Sequence, residues 1–401
     1  MRKSPPPPQD GGFWYALWTF SKFALALAIV LPICVLMLAS SEPTVTPTAA
    51  VAPTPVLAEG TATPGPTPTS GPTPVHPLDA VVPGNLYYVQ GRVIYDLHGY
   101  DAPRYVVAGA DPSVSADGSL LAYLLFYKNW DNIYVMNRKT GHATLVLDNS
   151  PTVPTDVRTG MSAGAPSFSA DDSTLFFSWS YPGAANPTAP GYYDRLDLSV
   201  TACALSGACN TSTARQLSQP SFESGGDDEP TVRPLDPSTL VFTSYNYVTL
   251  NGIPSTYGRL EALNPQTGAF LGFISPPTPS LLNPAWSPDG RYLAFVERSS
   301  DYQQSSIYVM TYHPNALGSQ VGQYDQQDFD HAHVLVKGAP FAIHPVFSPD
   351  GKYLAYEASA SDGRLHLYIA QVHLGPHPHL DHVQEVQRAG IVDGDRLAWT
   401  K

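Results

Sequence analysis

One short phrase recurs five times along this chain, and its period constrains the fold more than any single residue does. The copies are Asp111-Pro112-Ser113-Val114-Ser115-Ala116-Asp117-Gly118, Ala165-Pro166-Ser167-Phe168-Ser169-Ala170-Asp171-Asp172, Glu229-Pro230-Thr231-Val232, Asn283-Pro284-Ala285-Trp286-Ser287-Pro288-Asp289-Gly290 and His344-Pro345-Val346-Phe347-Ser348-Pro349-Asp350-Gly351. Successive marker prolines stand 54 to 64 residues apart, room for four short strands and their turns. Self-similarity at such a period implies an array of equivalent sheets.

Each phrase is followed by a strand-like run: Leu120-Leu121-Ala122-Tyr123, Leu175-Phe176-Phe177, Leu240-Val241-Phe242, Leu293-Ala294-Phe295 and Leu354-Ala355-Tyr356. A second run comes next, as in Ile133-Tyr134-Val135-Met136, Leu196-Asp197-Leu198, Ile307-Tyr308-Val309-Met310 and Leu367-Tyr368-Ile369. Aromatic and β-branched residues in short runs predict pleated strands, and no segment of the repeats sustains a helical period of 3.6. The phrase itself reads as Pro opening the innermost strand, then a tight turn in which Asp bonds its own backbone and Gly takes a positive φ. On that reading Asp117, Gly118, Asp171, Asp289, Gly290, Asp350 and Gly351 are structural turn residues rather than acids and bases of a catalytic set.

The run Trp286-Ser287-Pro288-Asp289-Gly290-Arg291-Tyr292-Leu293-Ala294-Phe295 resembles the repeat of TolB-type (WD40-like) β-propellers. Ile133-Tyr134-Val135-Met136-Asn137 and Ile307-Tyr308-Val309-Met310 resemble that family's second signature. The resemblance spans roughly residues 84–401 and is weakest at Pro230, where Arg233-Pro234-Leu235-Asp236-Pro237 stands in place of the usual turn. It implies an all-β, six-bladed propeller of four-stranded antiparallel blades that takes part in protein assemblies.

Five blades follow from the five phrases, and the sixth must come from the chain ends. Asn85-Leu86-Tyr87-Tyr88-Val89, Val93-Ile94-Tyr95-Asp96-Leu97 and Arg104-Tyr105-Val106-Val107 read as three strands lacking an inner partner. Asp393-Gly394-Asp395-Arg396-Leu397-Ala398-Trp399-Thr400 matches the register of Asp350-Gly351-Lys352-Tyr353-Leu354-Ala355-Tyr356. Completion of the first blade by the C-terminal segment, through one strand or two, removes the exposed edges of an open array.

The expected organisation is a cytoplasmic tail (1–12), a transmembrane signal anchor (13–39), a disordered Pro/Thr-rich linker (40–83) and the propeller (84–401). Residues 23–39 are apolar without interruption by charge, long enough to cross most of a bilayer core of roughly 30 Å. Phe13, Trp14, Tyr15, Trp18 and Phe20 crowd the start of the segment as an interfacial belt would. Arg2, Lys3 and Lys22 are the last cations before Arg92, so the positive-inside rule puts the N-terminus in a bacterial cytoplasm and the propeller outside. A cleaved signal peptide ending near Ala39-Ser40-Ser41 is the competing reading. Thr-Pro pairs such as Thr46-Pro47 and Thr63-Pro64 suit a spacer, in polyproline II at about 3.1 Å per residue, rather than a packed core.

Chemistry is sparse. Cys203 and Cys209 flank a small loop and form a disulfide candidate in an oxidising compartment. Histidines gather at His373, His377, His379 and His382 with Asp381, and again at His331 and His333 with Asp328 and Asp330. Imidazoles beside carboxylates can ligate zinc. The first group is nevertheless expected to be a solvated hairpin rim, because it lacks the helical spacing that would put ligands on one face. No length remains for an α/β-hydrolase domain with a Gly-x-Ser-x-Gly elbow, and no Walker-type loop occurs, so no catalytic residue, metal or cofactor is assigned.

The formal net charge of −13 argues against nucleic acid as a partner. The expectation is a membrane-anchored module that binds a protein or envelope polymer, through insertions between Trp179 and Gly191 and between Tyr312 and His333. The alternative is a metal-dependent polysaccharide lyase or hydrolase of the oligogalacturonate-lyase kind, although no residue pattern here maps onto those enzymes.

Overall fold

The strand β5 (Leu120–Phe126) shows how a blade is built and why its sequence is apolar on both faces. Leu121 and Tyr123 enter one hydrophobic cluster with Tyr87, Val89 and Ile94. Ala122 and Leu124, pointing the other way, enter a second with Phe168, Leu175, Phe177 and Trp179. Successive side chains of a strand alternate between faces, so a strand sandwiched between two sheets must be apolar throughout. The same division recurs in β17 (Tyr292–Arg298), where Leu293 and Phe295 face one neighbour and Ala294 and Val296 the other.

The computed structural model describes residues 80–401 apart from 128–130, 151–162, 181–197, 211, 220–225, 251–252, 278, 300–302 and 321–322. The expected tail and anchor, and the linker up to residue 79, lie outside the described residues, as does most of the insertion after Trp179. Among the described residues no helix is long and apolar enough to cross a membrane.

Six four-stranded antiparallel sheets are present. Blade 1 contains β24 (Ala398–Thr400), β1 (Val82–Gln90), β2 (Val93–Gly99) and β3 (Arg104–Ala108), in that order outward from the centre. Blades 2 and 3 are β4 (Ala110–Val114) to β7 (Ala143–Leu147) and β8 (Ala163–Phe168) to β11 (Arg215–Gln216). Blades 4, 5 and 6 are β12 (Asp227–Val232) to β15 (Phe270–Phe273), β16 (Ser280–Trp286) to β19 (His333–Ala339), and β20 (Ala342–Phe347) to β23 (His379–Glu385). A helix of one turn, α1 (Gln326–Phe329), sits in the insertion before β19.

Each pair of adjacent blades shares a hydrophobic cluster, including blades 6 and 1, where Ala355 and Leu367 pack with Leu86, Tyr88 and Leu97. That interface is what closure requires. Second and third strands carry a stacked aromatic pair in four blades: Tyr88 with Tyr95, Tyr123 with Tyr134, Phe295 with Tyr308 and Tyr356 with Tyr368, at centroid separations of 5.6 to 5.8 Å. Directly opposed aromatics of this kind add about 0.5–1.5 kcal/mol beyond their buried area.

One C-terminal strand closes the ring, pairing Thr400, Trp399 and Ala398 with Asn85, Leu86 and Tyr87. Side chains reinforce these few backbone bonds. Trp399 Nε1 donates to the Pro83 carbonyl (2.6 Å), and Asp393 accepts from the Gly91 and Arg92 N–H groups (3.0 and 2.8 Å). Arg388 donates to the carbonyls of Asp101, Ala80 and Gly99 at 2.9, 2.7 and 2.6 Å.

The marker prolines do not open the inner strands, contrary to the expectation. They lie within them, at register shifts such as those between Ala110 and Ser113 and between Leu282 and Ala285. Proline is tolerated inside a strand at a bulge on an open edge, and the inner strand has no sheet neighbour on its channel side. The third strand of blade 3, β10 (Leu198–Ala204), begins where the expected run Leu196-Asp197-Leu198 ends.

Candidate binding site at the channel mouth

The residue before each marker proline is the structural keystone that the repeat conceals. Asp111, Ala165, Glu229, Asn283 and His344 all have φ between 47° and 58°, a region that non-glycine residues seldom occupy. Arg396 holds the same register in blade 1, three residues before Trp399, as His344 stands three before Phe347. Five inner strands thus contribute matched positive-φ positions, and Arg396, just ahead of β24, stands in the sixth place.

Several neighbours in this ring bond to one another. The Ala165 N–H donates to Asp111 Oδ2 (3.4 Å), the Asn283 N–H to Glu229 Oε2 (2.6 Å) and the His344 N–H to Asn283 Oδ1 (3.4 Å). Asn283 Nδ2 also donates to Glu229 Oε1. Arg396 Nη1 reaches the Pro166 carbonyl (3.2 Å), joining blade 1 to blade 3. These links satisfy backbone groups freed by the bulges, which offsets the strain of the positive φ.

The ring encloses buried acid. Burial, with Asp228 adding to it, pushes the Glu229 carboxyl up to about 6. Glu357, fully buried with Oε2 3.4 Å from His344 Nδ1, is raised well above the carboxylate range by burial and then by Asp395, Asp393 and Asp111. Burial likewise pushes Asp227 up to about 7. These buried carboxyls therefore keep their protons to a higher pH than ordinary carboxylates do.

Beyond the ring, toward the ends of the inner strands, lies a cavity of about 180 Å³ lined by Asn283, Trp286, His344, Arg396 and Pro234 among others. Pro234 belongs to the atypical turn of blade 4. Its neighbour Leu235 has φ 63° and is 83% exposed. The turn is held by Arg233, which donates to the Gly290 carbonyl (2.7 Å) and Asp236 (2.9 Å) and lies over the rings of Trp286 and Tyr312 at 5.7 and 5.0 Å. The turn held by Arg233 thus presents one exposed apolar side chain, next in sequence to Pro234 of the cavity lining.

The arrangement of six four-stranded blades around this channel can be set beside solved structures. TolB from Acinetobacter baumannii superposes with a TM-score of 0.51 at 17% identity, over 79% of this chain and 66% of that one. The fold is that of a TolB-type propeller. This chain thus spans just under two thirds of that TolB. The putative TolB from Agrobacterium tumefaciens overlaps at 0.46 with 13% identity (75% of this chain, 87% of that one), and an oligogalacturonate lyase from Vibrio parahaemolyticus at 0.43 with 13% identity (78% and 82%). No family model matches the sequence, and no curated relative does.

The turn residues of this TolB-type propeller act locally. Ser115 Oγ donates to Asp117 Oδ1 (2.7 Å), which also takes the Ser119 N–H (2.8 Å). Those bonds hold Asp117 down to about 2. Asp171, Asp289 and Asp350 take the matching serine hydroxyl at 2.6, 2.6 and 2.7 Å, and Gly118, Gly290 and Gly351 have φ of 72°, 63° and 71°. A Cβ at Gly290 would meet the Pro234 carbonyl at 2.5 Å, so glycine also permits adjacent turns to touch.

Cys203 and Cys209 are joined as a disulfide, with Cα atoms 5.8 Å apart. The group in the Tyr312–His333 insertion disperses into local bonds: Asp328 to His313 (2.5 Å), Asp330 to the Tyr324 hydroxyl (3.1 Å) and His331 to the Gln327 carbonyl (2.6 Å). His373, His379 and Asp381 come together instead, contrary to the expectation that their spacing could not place ligands on one face. The axial ring was missed because its residues share a position and no chemistry. The usable signal was the polar residue preceding four of the five marker prolines.

Proposed function

We propose that the protein is a non-enzymatic binding module whose channel mouth and adjoining turns capture a protein or envelope polymer outside the bacterial cytoplasm. The observation that carries this reading is the pairing of a polar axial cavity with Leu235, an exposed apolar residue on an arginine-locked turn. Binding sites are commonly concave with a few convergent polar groups, and an exposed apolar side chain nearby adds surface that a partner can bury. Residues 13–39 anchor the chain with its N-terminus inside, and residues 40–83 hold the propeller away from the membrane. The cations Arg2, Lys3 and Lys22 support that topology, and the TolB-type fold supports a binding role.

A photo-crosslinking residue at position 235 in the full-length chain, expressed in its own cells, tests the site. It should give a discrete adduct, whereas one at Val383, half exposed on the outer strand of blade 6, should not. Equal labelling at both positions, or at neither, would remove the channel mouth as the binding site. External protease on intact cells should release the propeller while sparing a short N-terminal tag. A mature chain beginning near Glu42 would replace the anchor with a cleaved signal peptide.

A further inference from the structure

The long third and fourth strands of blade 6, β22 (Leu365–His373) and β23, end in a hairpin that converges three potential ligands. His373 and His379 are directly opposed across the two strands, and Asp381 lies two residues after His379. Residues i and i+2 of a strand share a face, and an opposed residue lies on that same face, so pairing places all three together. This is the work that a helical spacing would have done in another fold.

The geometry suits a metal ion. His373 Nε2 is 3.2 Å and His379 Nε2 3.7 Å from the same carboxylate oxygen, Asp381 Oδ2. At metal–ligand distances of about 2.0–2.2 Å, two ligands of a tetrahedral site stand roughly 3.4 Å apart. The two imidazoles stack at 4.8 Å with an interplanar angle of 15°, and both Nε2 atoms face the Asp381 carboxylate.

A second observation concerns the other ring nitrogen. His379 Nδ1 is 3.0 Å from the His377 carbonyl, which can only accept, so Nδ1 is the donor and the neutral imidazole presents its Nε2 lone pair to a metal. Fixing a histidine through a backbone carbonyl is the recurrent outer support of metal-binding imidazoles.

We propose that this hairpin is a divalent transition-metal site, with His373 Nε2, His379 Nε2 and the Asp381 carboxylate as ligands and a fourth position open to water or to an external donor. Two imidazoles and one carboxylate suit zinc and, by their nitrogen content, copper or nickel. The site lies on the outer strands of blade 6, away from the inner strands that line the channel. It is therefore independent of the channel-mouth reading.

The test is calorimetric titration of the chelator-stripped, full-length chain with Zn²⁺, alongside H373A, H379A, D381N and H377A. One equivalent should bind to the wild type, and each ligand substitution should weaken binding at least about tenfold. H377A retains the carbonyl that orients His379 and should bind as the wild type does. The three ligands are exposed, so unchanged melting curves without metal will show that the variants remain folded, while added Zn²⁺ should raise the melting temperature of the wild type but not of H379A. Absence of binding at 1:1 stoichiometry, affinity unchanged in H373A and H379A, or loss confined to H377A would each overturn the assignment.

Discussion

Blades 1 and 4 both depart from the repeat, and they make good the departure in different ways. Blade 1 has no serine–aspartate turn between its first two strands, because β24 and β1 are not consecutive in the sequence. Its cohesion comes from long-range side-chain bonds, chiefly Arg388 over three carbonyls and Asp393 over two amides. Blade 4 is continuous, but Arg233 occupies the place of the turn serine and spans two aromatic rings and a neighbouring carbonyl. In both an arginine substitutes for local turn chemistry, since its five fixed donors can serve several carbonyls at once. Only blade 4 uses the change to display an apolar side chain.

The comparison breaks hardest at the closing strand. Deleting residues 396–401 should abolish the single cooperative unfolding transition, because blade 1 loses its inner strand and two blade interfaces lose a wall. An unchanged melting temperature would refute closure by β24.

Arg388→Ala should cost about 2–4 kcal/mol in denaturant unfolding, since three carbonyls lose a charged donor together. In blade 4, Arg233→Ala should cost about 2–3 kcal/mol through lost hydrogen bonds and cation–π contacts. Ser287→Ala in blade 5 should cost only about 1 kcal/mol, because a local turn survives the loss of one bond. An Arg233 effect no larger than that of Ser287 would erase the distinction between the two kinds of turn.

A pH series sharpens the contrast. Asp227 and Glu229 both lie on β12 of blade 4, and their carboxyls are raised to about 7 and about 6 by burial. An acid whose pKa is higher in the folded state binds more protons there, so its contribution is complete below the unfolded value near 4 and declines as pH rises toward 7. The melting temperature should fall between pH 5 and pH 7.5, and Asp227→Asn should flatten that slope. Asp117, held low, acts in the opposite sense and only below pH 4. The smallest effect is expected for Leu235→Asp, within about 0.5 kcal/mol in stability, because the side chain is exposed.

Much of this fold is legible without coordinates. The spacing of Pro112, Pro166, Pro230, Pro284 and Pro345 counts five blades, and the three unpartnered runs after residue 84 call for a sixth closed by the C-terminal segment. The likeness of Asp393–Trp399 to Asp350–Tyr356 suggests a second strand, whereas Trp399 pairs with Leu86 as the inner-strand Phe347 pairs with Leu354. Serine, aspartate and glycine at fixed offsets disclose the turns, since each of those residues has an intrinsic reason to be there. The ring is different: Asp111, Ala165, Glu229, Asn283 and His344 share only the place before a marker proline, and their common backbone conformation is seen only in the structure. The blade 4 turn looked like a decayed copy, and only Arg233 lying over Trp286 and Tyr312 shows it to be rebuilt.

What the chain determines by itself is therefore what depends on local backbone preference and on period: strands, turns, blade number and the need for closure. What the tertiary structure alone decides is which distant side chains meet. Glu229 and Asn283 are 54 residues apart, Arg396 and Pro166 are 230 apart, and His373 reaches His379 only through strand register. The Glu357 carboxyl is raised first by its burial and then by Asp395, Asp393 and Asp111, an environment that arises from ring closure and that no neighbour in sequence supplies.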